Sequence, residues 1–345
     1  MGFVFIKVND DKSIEWMQRS LAVHTAFIKH MVGPSIYSLK SDHNKSKIVT
    51  YLIENWNKLY ESESFVLLET IEQLSVNNKV KNSLLSTLEN TLDKVKESNT
   101  QKAHAVLFSG NKFLSLYSNR SAQPILPSDI LFLNIFCQSI KLTQQIDSFL
   151  IFLQSCNNTS IPHVMHRIPI NTDLTLLILF EHGHTMISSN LYEIFVLLNK
   201  IKTLQSQSDL DNLVIETEKL DRVVKTIIET QKKLKNNSRE MEDCMKSFQN
   251  KYEILKKKYV DMLKIMDKNQ LVKVESYFPY FMETTNDLFR LACMDDSWMK
   301  KDSNQIVQKI DASIQELSKL HELLEAKSKK NLTMSSYLED FSGLV

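Results

Sequence analysis

Ala105-Val-Leu-Phe-Ser-Gly-Asn-Lys-Phe-Leu-Ser-Leu-Tyr-Ser118 is the stretch that decides the fold. Ala105-Val-Leu-Phe108 is strand-like, Ser109-Gly110-Asn111 is a tight turn, and Lys112 to Ser118 is a second strand. Two such runs around a Gly-Asn turn predict a β-hairpin. Downstream, Pro124 and Pro127 punctuate a loop. Ser128 or Asp129 starts an apolar helix to about Leu142. A polar stretch from Asn157 to Ser160 precedes Pro162-His-Val-Met-His-Arg-Ile-Pro-Ile170, whose alternation and prolines suit an edge strand. Leu174 to Phe180 is continuously apolar, as a strand buried on both faces should be. A further strand is expected after Gly183, and Asn190 is expected to cap a helix from Leu191 to Leu204. The order β-β-α-β-β(-β)-α describes one small α/β (α+β) domain over residues 102–205.

The flanks are helical. Phe3-Val-Phe-Ile-Lys-Val8 reads as a strand, and Ser13 caps a helix from Ile14 to about Met31 that Gly33-Pro34 stops. A strand and one helix make no core, so residues 1–34 read as the end of a preceding domain. Residues 45–98 form a helical connector. Its stripes are Ile48, Tyr51, Leu52, Trp56 and Leu59, then Phe65, Leu68, Ile71 and Leu74, then Leu84 to Val95, with a break at Asn77-Asn78. Residues 206–326 form a helical, coiled-coil-like region. Leu213, Thr217, Leu220, Val224, Ile227, Gln231, Leu234, Ser238, Met241, Met245, Phe248, Tyr252, Leu255, Tyr259, Met262 and Met266 alternate in steps of four and three, with polar members weakening the middle. The Asn236-Asn237 pair divides that thread into two helices packed as a hairpin. Pro279 ends a short aromatic segment, and a last helix spans about Ser303 to Ala326. The closing Gly343-Leu-Val345 reads as the opening of another strand, so residues 327–345 are expected to begin a truncated domain.

Composition excludes several classes. The 345 residues carry a formal net charge of +1, which argues against a nucleic-acid-tracking surface. Only 5 Gly and 6 Pro argue against an all-β fold. Cys137, Cys156, Cys244 and Cys293 are too scattered for a disulfide framework or a zinc motif. The apolar runs fall well short of ~20 residues, so no membrane span is expected, and no signal peptide is visible.

No phosphate loop, dinucleotide fingerprint, nucleophile elbow or zinc-protease motif is present. His163 and His166, with His182 and His184, come nearest to a metal constellation. Residues two apart on a strand share a face and residues three apart do not, so His182 and His184 could be joined by only one of the earlier pair. No carboxylate or cysteine completes that set at a recognisable spacing, and strand-surface histidines are the default reading. Cys137 lies on an apolar helix face without an electropositive setting, which is poor for a nucleophile. Glu339-Asp340 reads as a solvated turn. Lys256-Lys257-Lys258 reads as a solvated helix face rather than a membrane patch. No catalytic, cofactor or metal residue is assigned, and the partner-binding residues are unknown.

Resemblance carries the reading further. The tail Lys327-Ser-Lys-Lys-Asn-Leu-Thr-Met-Ser-Ser-Tyr-Leu-Glu-Asp-Phe-Ser-Gly-Leu-Val345 resembles the segment leading into the last domain of the Hermansky–Pudlak syndrome type one protein family. That family usually has Phe-Pro where this chain has Phe341-Ser342. The hairpin from His104 to Leu131, and Ile161 to Leu179, are similar to the family's middle domain. The long Ser/Pro-rich insertion associated with vertebrate members is missing. The resemblance implies three longin-type domains, each an antiparallel sheet of about five strands flanked by helices. This chain would hold the end of the first (1–34), the whole second (102–205) and the threshold of the third (327–345).

The resemblance also implies a function. The chain would be a subunit of a heterodimeric guanine-nucleotide exchange factor for Rab GTPases in lysosome-related organelle biogenesis and vesicle trafficking. The implied partners are the Hermansky–Pudlak syndrome type four protein and a GTPase of the Rab-thirty-two or Rab-thirty-eight type. The implied location is cytoplasmic, peripherally on endosomal or lysosome-related membranes. No exchange residues carry over, because that family's exchange surface lies mainly on its first longin domain. Two other readings stand beside this one. A coiled-coil scaffold or trafficking tether would show an unbroken rod over 210–270. An enzyme would show the histidines converging.

Overall fold

A strand with no polar side must be sandwiched, and Leu174–Glu181 is that strand. In the computed structural model it is β5, the middle of a five-stranded antiparallel sheet of order β2-β1-β5-β4-β3. The other strands are β1 (Ala103–Ser109), β2 (Lys112–Ser118), β3 (Asp147–Gln154) and β4 (Ser160–Pro169). The helices are α1 (Ile14–Val32), α2 (His43–Ser62), α3 (Asn78–Val95), α4 (Pro127–Ser139), α5 (Thr185–Gln207), α6 (Leu210–Lys233), α7 (Arg239–Ile265), α8 (Phe278–Cys293) and α9 (308–324). The structure describes residues 14–34, 39, 42–63, 66, 70–96, 101–140, 147–154, 160–182, 185–207, 209–233, 239–265, 274, 276–293, 306 and 308–324. The expected strand Phe3–Val8 and the whole of 327–345 lie outside them.

The chain divides into two compact units, and β3 and β4 contribute residues to both. The sheet unit comprises Thr50–Phe149, Val164–Glu181 and Met299–Val345. Here β1 pairs with β2 and with β5, Ala105 standing opposite Ile178 and Leu107 opposite Leu176. Alternate residues Ala103, Ala105 and Leu107 of β1 and Leu174, Leu176, Ile178 and Phe180 of β5 form one core face. Leu84, Leu88 and Leu92 of α3 and Ile310 and Leu317 of α9 cover it. The other face, with Val106, Phe108, Leu177 and Leu179, is equally buried. Asparagine 119 closes the start of β1, since its Oδ1 accepts from Ala103 N at 3.2 Å.

Four expectations need correction. The helical pattern does not run on from Phe65 to Leu74, because residues 70–77 are not helical. Leu74 N donates to Phe113 O at 2.9 Å and Phe113 N to Glu72 O at 2.8 Å, so this segment supplies hydrogen bonds to the outer edge of β2. An exposed strand edge needs such cover. Asparagine 77 then caps α3, its Oδ1 accepting from Val80 N at 2.9 Å. Second, β4 is not an edge strand, because β3 lies outside it. Its prolines occupy the third and last positions, where a missing N–H disrupts little of the ladder. Third, no strand follows Gly183. The helix α5 starts at Thr185, so Asn190 lies inside it rather than at its cap. Fourth, Pro279 stands in the first turn of α8 and opens that helix instead of ending a segment.

The helical unit comprises Met1–Val49, Leu150–His163 and His182–Trp298. The heptad-like thread is absorbed inside it rather than drawn out as one rod. The helix α6 ends at Lys233 and α7 begins at Arg239. Asp221 meets Tyr252 and Lys256, and α7 meets α8 through Phe248–Phe281 at 5.2 Å and Tyr259–Phe278 at 5.9 Å. Leu213, Leu220, Val224, Ile227, Phe248, Tyr252, Leu255 and Tyr259 are all buried. Phenylalanine 289 of α8 links three elements, stacking on Phe152 of β3 at 5.6 Å and meeting Phe195 of α5 edge-on at 6.2 Å.

The end of α1 is fitted to that aromatic cluster. Glycine 33 has φ +63°, and its N–H donates to Lys29 O at 2.8 Å, which closes the last turn. A Cβ there would lie 3.0 Å from the rings of Phe152 and Phe289. Glycine 110 has a similar φ of +56° but opens onto empty space. The replacement Gly110→Ala should therefore cost only the left-handed backbone penalty, about 1–2 kcal/mol. The replacement Gly33→Ala should add overpacking of about 1–3 kcal/mol. Denaturant unfolding of the two variants measures the difference, and equal midpoints would contradict it.

Candidate functional site

The chemistry-bearing side chains are mostly tied into the fold. On β4, His163 Nδ1 lies 3.0 Å from Ile161 O and His166 Nδ1 lies 2.8 Å from Ser148 Oγ. The His166 ring stands edge-on to Phe180 at 5.9 Å. Histidine 182 is buried, its backbone N donating to Pro162 O, and His184 lies outside the described residues. His163 and His166 thus have separate partners, as their three-residue spacing on a strand requires. The neighbouring strands show the same economy. His104 Nδ1 is 2.8 Å from Ser118 Oγ, and Glu181 accepts from Lys102 Nζ at 2.9 Å.

One arrangement looks catalytic and was not visible in the sequence. Ser109 Oγ lies 2.9 Å from His321 Nε2, and Asn171 Nδ2 lies 3.4 Å from His321 Nδ1. A hydroxyl, an imidazole and an orienting amide in a row are the parts of a serine-hydrolase triad. The hydrogen bonds assign the wrong tautomer for that work. Asn171 Oδ1 accepts from Asp173 N at 3.0 Å and Leu174 N at 2.7 Å, so the amide nitrogen is what faces His321. It donates to Nδ1, which leaves the proton on Nε2, and His321 then donates to Ser109 rather than accepting its proton. The trio pins α9 to the end of β1 and the β4–β5 turn. These residues are 150 and 212 positions apart along the chain, which hides them from spacing arguments.

The thiol at Cys137 is pushed up to about 12 by burial, while the nearby Arg167 guanidinium acts in the opposite sense. The sequence suggested no cation there. Arginine 167 is fully buried and bonds Asp147 Oδ2 at 2.8 Å and Ile140 O at 3.2 Å. Burial outweighs that charge, so the thiol stays protonated. Cys293 is likewise raised to about 12 by burial. Glu339-Asp340 and Cys156 lie outside the described residues.

Charges in the helical unit are used in pairs. Burial would raise Glu216, but hydrogen bonds from Lys200 at 2.6 Å and Lys219 at 2.9 Å hold it below its usual range. Asp221 follows the same rule. Burial pushes it up, and Lys225, Lys256 and Tyr252 bring it below the ordinary carboxylate value. In the run Lys256-Lys257-Lys258, Lys256 is therefore committed to Asp221, and Lys258 lies 5.4 Å over the Tyr277 ring. Among the described residues no helix is long and apolar enough to cross a membrane.

An antiparallel five-stranded sheet with helices packed on it is the longin architecture, so the fold defines a longin-type α+β domain. Comparison of sequences agrees and is more specific. Residues 100–198 match the family described as the second longin domain of FUZ, MON1 and HPS1. The match takes in all five strands and reaches into α5. No curated protein matches the chain.

The buried imidazoles have a measurable consequence. Burial pushes His30 down to about 4, against a 2.7 Å hydrogen bond between its Nδ1 and Phe152 O, and pushes His166 down to about 4. In the unfolded chain a histidine titrates near ~6.5. Between about pH 6.5 and 4 the unfolded state binds protons that the folded state refuses, so stability falls as the pH falls. Melting temperature should drop through this window, and His166→Gln should flatten the slope. A pH-independent melting temperature between 6.5 and 4.5 would contradict the assignment.

Proposed function

We propose that the chain is a subunit of a heterodimeric guanine-nucleotide exchange factor acting on a Rab GTPase in vesicle traffic to lysosome-related organelles. The observation that carries this reading is the five-stranded sheet of residues 103–181, inside the stretch that matches the second longin domain of FUZ, MON1 and HPS1. The resemblance to the Hermansky–Pudlak syndrome type one family supports it from the sequence side. The partner would be a second longin protein of the Hermansky–Pudlak type four kind. The substrate would be a GTPase of the Rab-thirty-two or Rab-thirty-eight type, and the complex would act peripherally on the cytoplasmic face of the organelle.

The mechanism asks for surfaces rather than reactive groups. An exchange factor binds the nucleotide-free GTPase more tightly than the loaded one, and that difference in affinity drives nucleotide release. The chain would serve as a regulatory subunit with no covalent chemistry of its own. Side chains committed to structural hydrogen bonds, like those of Ser109, Asn171 and His321, are compatible with that role.

The test is co-purification of the chain with candidate longin partners, followed by release of a fluorescent guanine nucleotide from a panel of Rab GTPases. Accelerated release by the complex, with none by the chain alone, is the expected result. No stable complex and no acceleration with any Rab would sink the proposal. Fast exchange by the chain alone would place the active surface within these residues and overturn the heterodimer reading.

A further inference from the structure

We propose that His104, His163 and Glu181 form a structural zinc site on the face of the sheet turned away from α3 and α9. Each offers a ligand atom, and the three atoms lie within 4.8 Å of one another. The residues stand on β1, β4 and β5, three adjoining strands of the one hydrogen-bonded sheet. Strand alternation explains why they meet. Ala103 and Ala105 face α3 and α9, so His104 between them faces the other way. Phe180 also faces α3 and α9, which turns the following Glu181 to the side of His104. On β4, His166 meets Phe180, so His163, three positions earlier, shares the face of His104 and Glu181. Backbone bonds hold the end of β5 to both neighbours, from Glu181 N to Lys102 O at 3.0 Å and from His182 N to Pro162 O at 2.9 Å.

The donors suit a divalent transition metal. All three side chains are buried, and two imidazoles with a carboxylate are a zinc-binding set that leaves the fourth tetrahedral position to water. A carbonyl can only accept, so the 3.0 Å contact with Ile161 O fixes the proton of His163 on Nδ1 and leaves Nε2 as the ligand atom. Ser118 Oγ, 2.8 Å from His104 Nδ1, can accept in the same way. Metal-binding histidines are oriented by such bonds through their other ring nitrogen. Lys102 is the opposing charge, its Nζ donating to Glu181 Oε2 at 2.9 Å. A carboxylate has two oxygens and about four acceptor positions, so Glu181 can serve both cations. Tetrahedral zinc sets its ligand atoms about 3.4 Å apart, so the side chains draw together by about 1 Å on binding. The sequence grouped His163 with His182 and His184, whereas the sheet supplies His104 and the carboxylate that spacing did not reveal. This site stands apart from the exchange reading and does not depend on it.

Zinc ion is the probe, titrated calorimetrically into the full chain after chelator treatment. Saturable binding of one zinc per chain is expected, with a higher melting temperature because only the folded chain holds the three ligands together. The replacements His104→Gln and Glu181→Gln each remove a ligand and should weaken binding more than about 100-fold. Ser118→Ala removes only a supporting hydrogen bond and should weaken it by about 10–100-fold. His166→Gln, on the opposite face, should leave the affinity unchanged. Cobalt(II) in place of zinc should give the visible absorption of a four-coordinate site, lost in His104→Gln. Circular dichroism melting without metal reports whether each variant folds. If both ligand variants fail to fold, Ser118→Ala decides the matter. No saturable binding, unchanged affinity in a folded ligand variant or in a deciding Ser118→Ala, or an equal loss in His166→Gln would overturn the proposal.

Discussion

Burial of β5 on both faces is the constraint from which the sheet unit follows. Leu174, Leu176 and Ile178 face α3 and α9, while Leu177 and Leu179 face the other way, and all are fully buried. A strand without a polar side cannot be an edge and cannot face water. It must have strands on both sides and cover on both faces. The small residues Ala103 and Ala105 of β1 leave room beside Phe180 and Ile178 on one of those faces. The segment around Gln73 then shields β2 by sharing hydrogen bonds with Phe113. Each outer element compensates for what the central strand demands.

The helical unit obeys a different logic. Its thread of apolar residues at steps of three and four is buried within one chain. Aromatic rings do much of the joining, as Phe289 meets Phe152 and Phe195, and Phe281 meets Phe248 and Tyr252. Between α6 and α7 the join is polar and centres on Asp221. A carboxylate served by two lysines and a tyrosine specifies register but adds little stability near the surface.

Among the described residues, several chemistry-bearing side chains are committed to contacts within the fold. Ser109, Asn171 and His321 have the makings of a triad, but the Asx turn at Asn171 sets the tautomer that holds α9 in place. His30 and His166 are buried and neutral, and Cys137 and Cys293 are protonated thiols. Residues 100–198, which hold this sheet, match the family described as the second longin domain of FUZ, MON1 and HPS1.

The sequence by itself determined the β1–β2 hairpin, the central place of β5, the stop of α1 at Gly33 and the division between α6 and α7. Each is a local signal: a Gly-Asn turn, an unbroken apolar run, a left-handed glycine, or an interrupted heptad. What it hid was long-range. The strand β3 reads Phe149-Leu-Ile-Phe-Leu153, a short apolar run that periodicity cannot tell from a helix. Only its place outside β4 makes it a strand, and that placement also turns the proline-flanked β4 from an expected edge into an interior strand. Residues 70–77 carry a helical stripe, yet the unpaired edge of β2 draws them into an extended form. His321 and the Asp221 cluster join residues far apart along the chain. Local patterning fixes which face of an element is apolar, but the choice of neighbour is a competition among many apolar faces, and only the assembled structure decides it.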